Sequence, residues 1–361
     1  MNDSADIDYG TLEATLERSK RLEADLVLHP ENYRVLTGDR PTGRLHIGHL
    51  FGSLQNLVRL HRLGVQSYFV IADYQVLTDR DSFEAIAENV KQLTLDYLAA
   101  GINPDDGKTF IFPHSHVPEL NQLLLPFLTL VTNAELNRNP TVKEEIQASE
   151  QRRINAGMYT YPVHQAADIL FCKGNVVPVG KDQLPHLELT RVIARRFNER
   201  FAIGQPVFPV PQPLLSAAPL IHGLDGAQKM SKSRHNTIML SATAEETAAL
   251  IKKAKTDSER YITYDPVNRP AVSNLINLIA LASGATPEAI AQDIGADGAG
   301  QLKAMLTETL NESLRPLRAR RKKLESNMDY VRAVLLSGVK QARLVAEQTL
   351  MEVRQVMNMA L

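Results

Sequence analysis

The chain has 361 residues, 44% of them hydrophobic, and its 40 Lys and Arg almost cancel 41 Asp and Glu for a formal charge of −1. This is enough apolar material for one large or two ordinary cored domains, and it excludes a polycationic chain, so a nucleic-acid partner must meet a local basic surface. The single cysteine, Cys172 in the apolar run DILFCKG, excludes an internal disulfide framework and a cysteine-cluster zinc site; it reads as a small buried hydrophobe. The acidic N-terminus MNDSADIDYG lacks the apolar core of a signal peptide, and no apolar run has the length to span a bilayer. A cytoplasmic protein with no membrane partner is expected. There is no tryptophan, for which the residues offer no physical reason.

Residues 1–33 carry eight acids and three bases, with leucines at 12, 16, 22 and 26 spaced as one helical stripe before Pro30. They predict an N-terminal helical extension leaning on the main body. From Arg34, RVLTG is a short β-branched run ending in a Gly/Pro turn, and IGHLFGSLQNLVRLHRLG then keeps helical spacing to Gly64. The alternation repeats as a strand at 66–73, a helix over 82–100, a strand at 109–112 and a helix over 118–137. A further strand, NVVPVG at 175–180, precedes an amphipathic helix whose Pro185 sits where a first turn tolerates it. After KMSKSRHNTIML the strands stop. Thr243 and Glu246 form a capping box, and helical patterning covers 243–256, 270–283, 299–325 and 328–359. Strands alternating with helices mean a parallel sheet. The expected fold is α/β, a Rossmann-like parallel sheet over 34–240 followed by an all-helical C-terminal domain over 241–361.

A strand, a Gly/Pro loop and a helix N-terminus make an anion site, because unpaired N–H groups and the helix dipole point at the ligand. TGDRPTGRLHIGHL has this form. Gly43 permits the tight turn, Gly48 leaves bare backbone for a flat ring such as adenine, and His46 and His49, one helical turn apart, lean to the same side. Both rings can bond phosphoryl oxygens as charge builds there. A second stretch, KMSKS at 229–233, sets Lys229 and Lys232 three apart with Ser231 and Ser233 between and beside them, on a Gly-containing loop able to close over a triphosphate.

HIGH near a strand end together with KMSKS after the α/β body resembles the signature pair of class I aminoacyl-tRNA synthetases. The intervening TGDRPTG, NPTVKEEI, YPVHQAADIL and VPVGKDQLPHLELTR resemble the tryptophanyl enzymes in particular, in this order, from about residue 35 to 240. The residues support that amino acid independently. Tyr161, Gln165 and Asp168 lie at spacings of four and three, on one helical face. Asp168 stands in the apolar AADIL, where an unpaired carboxylate is costly, and an indole N–H is its natural partner because indole donates and does not accept. A phenylalanine would leave that carboxylate unsatisfied, which discriminates by roughly 10⁴ to 10⁵ without editing.

The resemblance implies further contacts. Nucleotide contacts map onto Arg40, Pro41, Thr42, Gly48, His49, Gly180, Lys181, Asp182, Leu220 and Lys229, Met230, Ser231, Lys232 and Ser233, with Asp182 suited to ribose hydroxyls. Val177, Val179 and Gln183 border the indole. Arg40 stands where many relatives have glutamine, and its guanidinium suits a phosphate or the substrate carboxylate. Lys181 replaces a frequent glutamate, and Gln165 replaces a methionine of some relatives. No protein-held metal is expected; Mg²⁺ enters with ATP. The six bases among residues 315–323 either track a phosphate backbone or form a solvated face, and by resemblance the helical C-terminal part reads the anticodon of tRNA(Trp). Relatives are dimers, so a homodimer is expected. The reaction implied is tryptophan activation to the adenylate with catalytic His46, His49, Lys229, Ser231 and Lys232, then transfer to tRNA. The alternatives are a tyrosyl enzyme, a noncatalytic synthetase-derived RNA-binding protein and a small-molecule nucleotidyltransferase of the same fold.

Overall fold

Four short apolar runs, each leading through a turn into a helix, and an edge run at Gln212–Leu215 assemble into five parallel strands. The computed structural model describes residues 12–79, 83–148, 154–215, 221–226 and 228–360. The first part of the chain forms α1 (Leu12–Leu28), β1 (Arg34–Asp39), α2 (Ile47–His49), α3 (Gln55–Arg62), β2 (Gln66–Ile71), α4 (Val76–Asp79), α5 (Ile86–Ala100) and β3 (Thr109–Pro113). Next come α6 (Pro118–Asn121), α7 (Leu124–Leu128), α8 (Asn133–Arg138), α9 (Pro140–Ala148), α10 (Ala156–Leu170), β4 (Val176–Val179), α11 (Leu184–Phe201) and β5 (Gln212–Leu215). The remainder is helical: α12 (Ala244–Lys252), α13 (Pro270–Ser283), α14 (Pro287–Ile294), α15 (Gly298–Glu325) and α16 (Met328–Val356).

The sheet order is β3-β2-β1-β4-β5, all parallel. Residues 67–71 of β2 are buried on both faces, as a parallel strand covered by helices must be. Phe69 and Ile71 join one apolar cluster with α2, α3, α5 and the C-terminal helices; Tyr68 and Val70 join another with α10, α11 and α16. α2 and α3 form one continuous helix through a π turn at Leu50–Leu54.

Three expectations change. The single helix expected over 118–137 is three short ones, because Pro126 lacks an N–H and Thr132 starts a new helix through a capping box with Glu135. β5 was not expected. It is an edge strand, which tolerates Pro213, and Ser19 of α1 binds its backbone at both Pro213 O and Leu215 N, 3.1 Å each. That contact, with Leu22 and Leu26 packed on Val35, Val176 and Leu214, docks the N-terminal extension. α14 was also missed, although Thr286 caps it and Pro287 opens it.

The helices after residue 240 do not stand apart from the sheet. The N–H of Ser67 bonds Lys108 O, so by strand alternation the backbone of Ile111 faces the open side of β3. There α16 lies so close that a Cβ on Gly338 would come within 2.0 Å of Ile111 O. The helix covers an otherwise bare sheet edge. Gly338→Ala should therefore destabilise by about 1–3 kcal/mol through overpacking. Gly300→Ala, with open space at its Cβ, should be neutral or stabilising by up to about 1 kcal/mol. Urea unfolding of the two variants checks the contrast.

Candidate active site

Strand order reverses at β1, with β2 and β3 on one side and β4 and β5 on the other. Open α/β sheets take ligands in the crevice beyond the carboxyl ends at such a switch point. The loops leaving these ends, 40–45 and 180–183, carry the residues that the motif and the resemblance place at the nucleotide.

At the first, His46 is the N-cap of α2 and His49 its third residue. His46 Nδ1 accepts the Gly48 N–H at 3.1 Å, and His49 Nδ1 accepts the His46 N–H at 3.2 Å. This is a capping box built from two imidazoles whose rings sit 3.8 Å apart. A nitrogen that accepts a hydrogen bond carries no proton, so each neutral ring holds its proton on Nε2. Burial, then the neighbouring His49 and the two lysines, push His46 from 6.5 to about 3. Burial chiefly lowers His49 too, against the pull of Asp39. Two neutral Nε2–H donors thus stand at the positive end of a helix.

The lysine loop lies across this loop. Lys232 Nζ donates to Thr42 O at 3.0 Å and lies 3.3 Å from Arg44 O, beside Gly43, whose φ of +117° suits glycine. Met230, expected at the nucleotide, is buried in the core with its sulfur close over Gly48, and so acts as the pin of the loop. Asn236 braces the turn by accepting the Ser231 N–H at 2.8 Å and donating to Asp225. The side chain of Ser233 and all of Leu220 lie outside the described residues. Lys229 is exposed. The two motifs are also joined by backbone bonds, Ile47 N to Ile238 O and Leu240 N to Leu45 O.

At the second loop, Gly180 lies so close to Asp182 Oδ1 that a Cβ would meet it at 2.6 Å. Lys181 and Asp182 are exposed, and Thr141 holds the Asp182 carbonyl at 2.9 Å. Arg40 pairs with Glu145 of α9 at 3.5 Å, a partner the sequence did not suggest. Val177 and Val179 are buried on one face of β4. Gln183 and Gln165 are half-buried. Tyr161 bonds His186 at 2.8 Å, and Asn139 bonds the other nitrogen of that ring at 3.2 Å.

Asp168 is 1% exposed, and it has a protein partner: His114 Nδ1 lies 3.0 and 3.3 Å from its two oxygens. His114 was not foreseen, although PHSH after a strand is a visible signal. His114, His164 and Asp168 bring ligand atoms within 4.8 Å of one another, a grouping able to hold a cation that the sequence reading did not anticipate. Asp96 was also missed, although an acid in LTLDYLAA has the same character as Asp168 in AADIL. Its carboxylate accepts the Leu45 N–H at 2.7 Å and pairs with buried Arg321.

Arg321 belongs to the basic run of α15, and that run is largely committed within the fold. Arg320 donates to Ala99 O, Arg318 to Thr247 and Asn311, and Arg315 pairs with Glu312. Lys322 and Lys323 remain exposed.

A crevice at the switch point, with a HIGH segment at its edge and a KMSKS segment tied to it by Lys232 and by backbone bonds, defines a class I aminoacyl-tRNA synthetase. The family model for tRNA synthetases class I (W and Y) matches residues 29–315. The tryptophan–tRNA ligase of Lactococcus lactis is 41% identical over 333 residues, spanning 90% of this chain and 97% of the relative. That of Treponema pallidum is 39% identical, over 91% and 97%. The tryptophanyl-tRNA synthetase of Campylobacter jejuni, solved with ADP and tryptophan, superposes with a TM-score of 0.76 at 27% identity, covering 90% of this chain and 99% of that one. The chain belongs to the tryptophan–tRNA ligase family. Its activity is the ATP-driven attachment of tryptophan to tRNA(Trp), and tryptophan is favoured over the tyrosyl alternative.

Two outcomes follow from the geometry. The unfolded chain binds a proton on residue 46 below about pH 6.5 and the folded one does not until about 3, so stability must fall with pH across that window. His46→Asn, which keeps a capping oxygen, should lose less stability between about pH 7 and 5 than the parent in urea titrations. Arg321→Leu should cost about 3–5 kcal/mol by stranding a buried carboxylate. Adding Asp96→Leu should recover most of that stability but not the turnover number, because Leu45 N–H then lacks its acceptor; thermal melts and kinetics on the three variants check this.

Proposed function

We propose that the crevice between β1 and β4 is where the two half-reactions occur, with ATP arriving as its Mg²⁺ complex. A tryptophan carboxylate oxygen attacks the α-phosphorus in line. The new P–O bond forms as the bond to the β-phosphate oxygen breaks, and pyrophosphate leaves. His46 and His49 donate Nε2–H to phosphate oxygens, while Lys229 and Lys232 offset charge on the departing pyrophosphate, with the Ser231 and Ser233 segment against the same phosphates. Positioning and electrostatics supply most of the acceleration. In the second step a ribose hydroxyl of the terminal adenosine of tRNA attacks the activated carbonyl, AMP leaves, and its phosphate takes the hydroxyl proton.

The observation that carries this reading is the orientation of the two histidines: both Nδ1 atoms accept backbone N–H groups, leaving Nε2–H as the donor beside a lysine that spans both motifs. In this reading Arg40, Pro41, Thr42, Gly48, Gly180, Lys181, Asp182 and Leu220 border the nucleotide, and Met230 pins the loop beneath them. Asp168 accepts the indole N–H, with Tyr161, Gln165, Val177, Val179 and Gln183 around the ring. Residues 241–361 serve tRNA, and the enzyme works as a cytoplasmic homodimer. No helix among the described residues is long and apolar enough to cross a membrane.

Amino-acid-dependent exchange of pyrophosphate into ATP tests the proposal. Exchange is expected with tryptophan and little with tyrosine; exchange with neither would favour a noncatalytic RNA-binding role. Asp168→Ala should raise KM for tryptophan by at least about tenfold, the loss of one hydrogen bond to a charged group, while KM for ATP stays nearly constant. An equal rise in both would make Asp168 structural.

A further inference from the structure

The carboxylate assigned to the indole is itself held by a residue with no assigned role. His114 lies at the end of β3, wholly buried. Its Nε2 accepts the Tyr74 N–H at 3.0 Å, so that nitrogen carries no proton and Nδ1 does. The Nδ1–H is therefore aimed at Asp168, 3.0 Å from Oδ1 and 3.3 Å from Oδ2. The orientation is fixed from several sides. Asn121 donates to the carbonyls of His114 and Val117, and its Oδ1 accepts His164 Nε2–H at 2.6 Å. Asp73, 3.4 Å from His114 Nε2, accepts the backbone N–H and hydroxyl of Ser115.

We propose that His114 is a positioning residue for tryptophan recognition: its Nδ1–H holds Asp168 as an oriented carboxylate whose remaining lone pairs accept the indole N–H. This rests on the reading of Asp168 as the indole partner. A purely structural role would be met more cheaply by apolar residues, since a buried ion pair rarely gains stability over a packed hydrophobic one. Here one buried region holds Asp73, His114, His164 and Asp168, with the Cys172 thiol close enough to Asp168 to feel its charge. On one side Tyr74, 46% exposed, sets its ring 5.5 Å from His114 and 6.3 Å from His164.

The electrostatics agree with this geometry. Burial opposes charge on His114, but Asp168, with Asp73 behind it, outweighs burial and raises its pKa. Burial lowers His164. The neutral and the protonated forms of His114 both carry the Nδ1–H, so the grip on Asp168 survives in either.

Because the chain contains no tryptophan, the indole emission of the bound substrate can be read against tyrosine alone. His114→Asn keeps an N–H donor where Nδ1 stands; His114→Gln moves it to the place of Nε2. His114→Gln should weaken tryptophan binding roughly 10- to 100-fold, and His114→Asn by no more than about threefold, with KM for ATP unchanged in both. Wild-type tryptophan binding by both variants, while Asp168→Asn remains weakened, would overturn the proposal. So would parallel losses of tryptophan affinity, ATP affinity and thermal stability without rescue by Asn, which mark a packing residue. Loss of tryptophan binding by the parent on chelation, measured without ATP, would overturn it in favour of a cation held by His114, His164 and Asp168. If Asp168→Asn itself leaves tryptophan binding intact, it is the assignment of Asp168 that fails.

Discussion

The Asp96 carboxylate is the point on which the arrangement of the site depends. It is fully buried, and it receives the N–H of Leu45, the residue before the first signature histidine, and the guanidinium of Arg321 from α15. Burial raises its pKa to about 6 against the pull of Arg321 and the Leu45 N–H. Leu45 O in turn accepts Leu240 N, and Ile47 N donates to Ile238 O. One acid thus fastens the start of the HIGH segment to a helix of the C-terminal part, while the chain that trails KMSKS is sewn to its other side. In the proposed reaction the histidines meet phosphate with little reorganisation, because their backbone is held from both directions.

The same segment shows how capping chemistry sets charge. An aspartate or serine is the usual N-cap, and an acid there would repel an anion. Two imidazoles satisfy the same orphan N–H groups with lone pairs and remain neutral, so the positive end of the helix dipole is left uncancelled. The lysines supply the positive charge from a separate loop. The substrate amino acid is absent from the chain, so translation of the enzyme does not draw on its own product.

Local chemistry made much of this legible. The Thr243–Glu246 box, Pro185 in the first turn of α11 and the strand–loop–helix at Arg34 all appear as read, because each depends on neighbours within a few residues. Long-range commitments were not legible. Asp96 and Asp168 look alike in sequence, each an acid in an apolar run, yet one holds a backbone N–H and an arginine and the other a histidine. The basic run at 315–323 reads equally as a footprint for RNA or as a solvated face, and four of its six bases have partners in the fold. β5 carries one buried residue, Leu214, and a proline, too little pattern to announce a strand.

The sequence by itself determined the parallel α/β plan, the helical remainder and the synthetase family, because spacing of 2.0 or 3.6 and short motifs are local properties. Only the tertiary structure decided what each buried charge is for. A carboxylate or guanidinium must find its counterpart wherever the fold brings one, here 225 residues away for Asp96 and 54 for Asp168, and no local pattern records that distance.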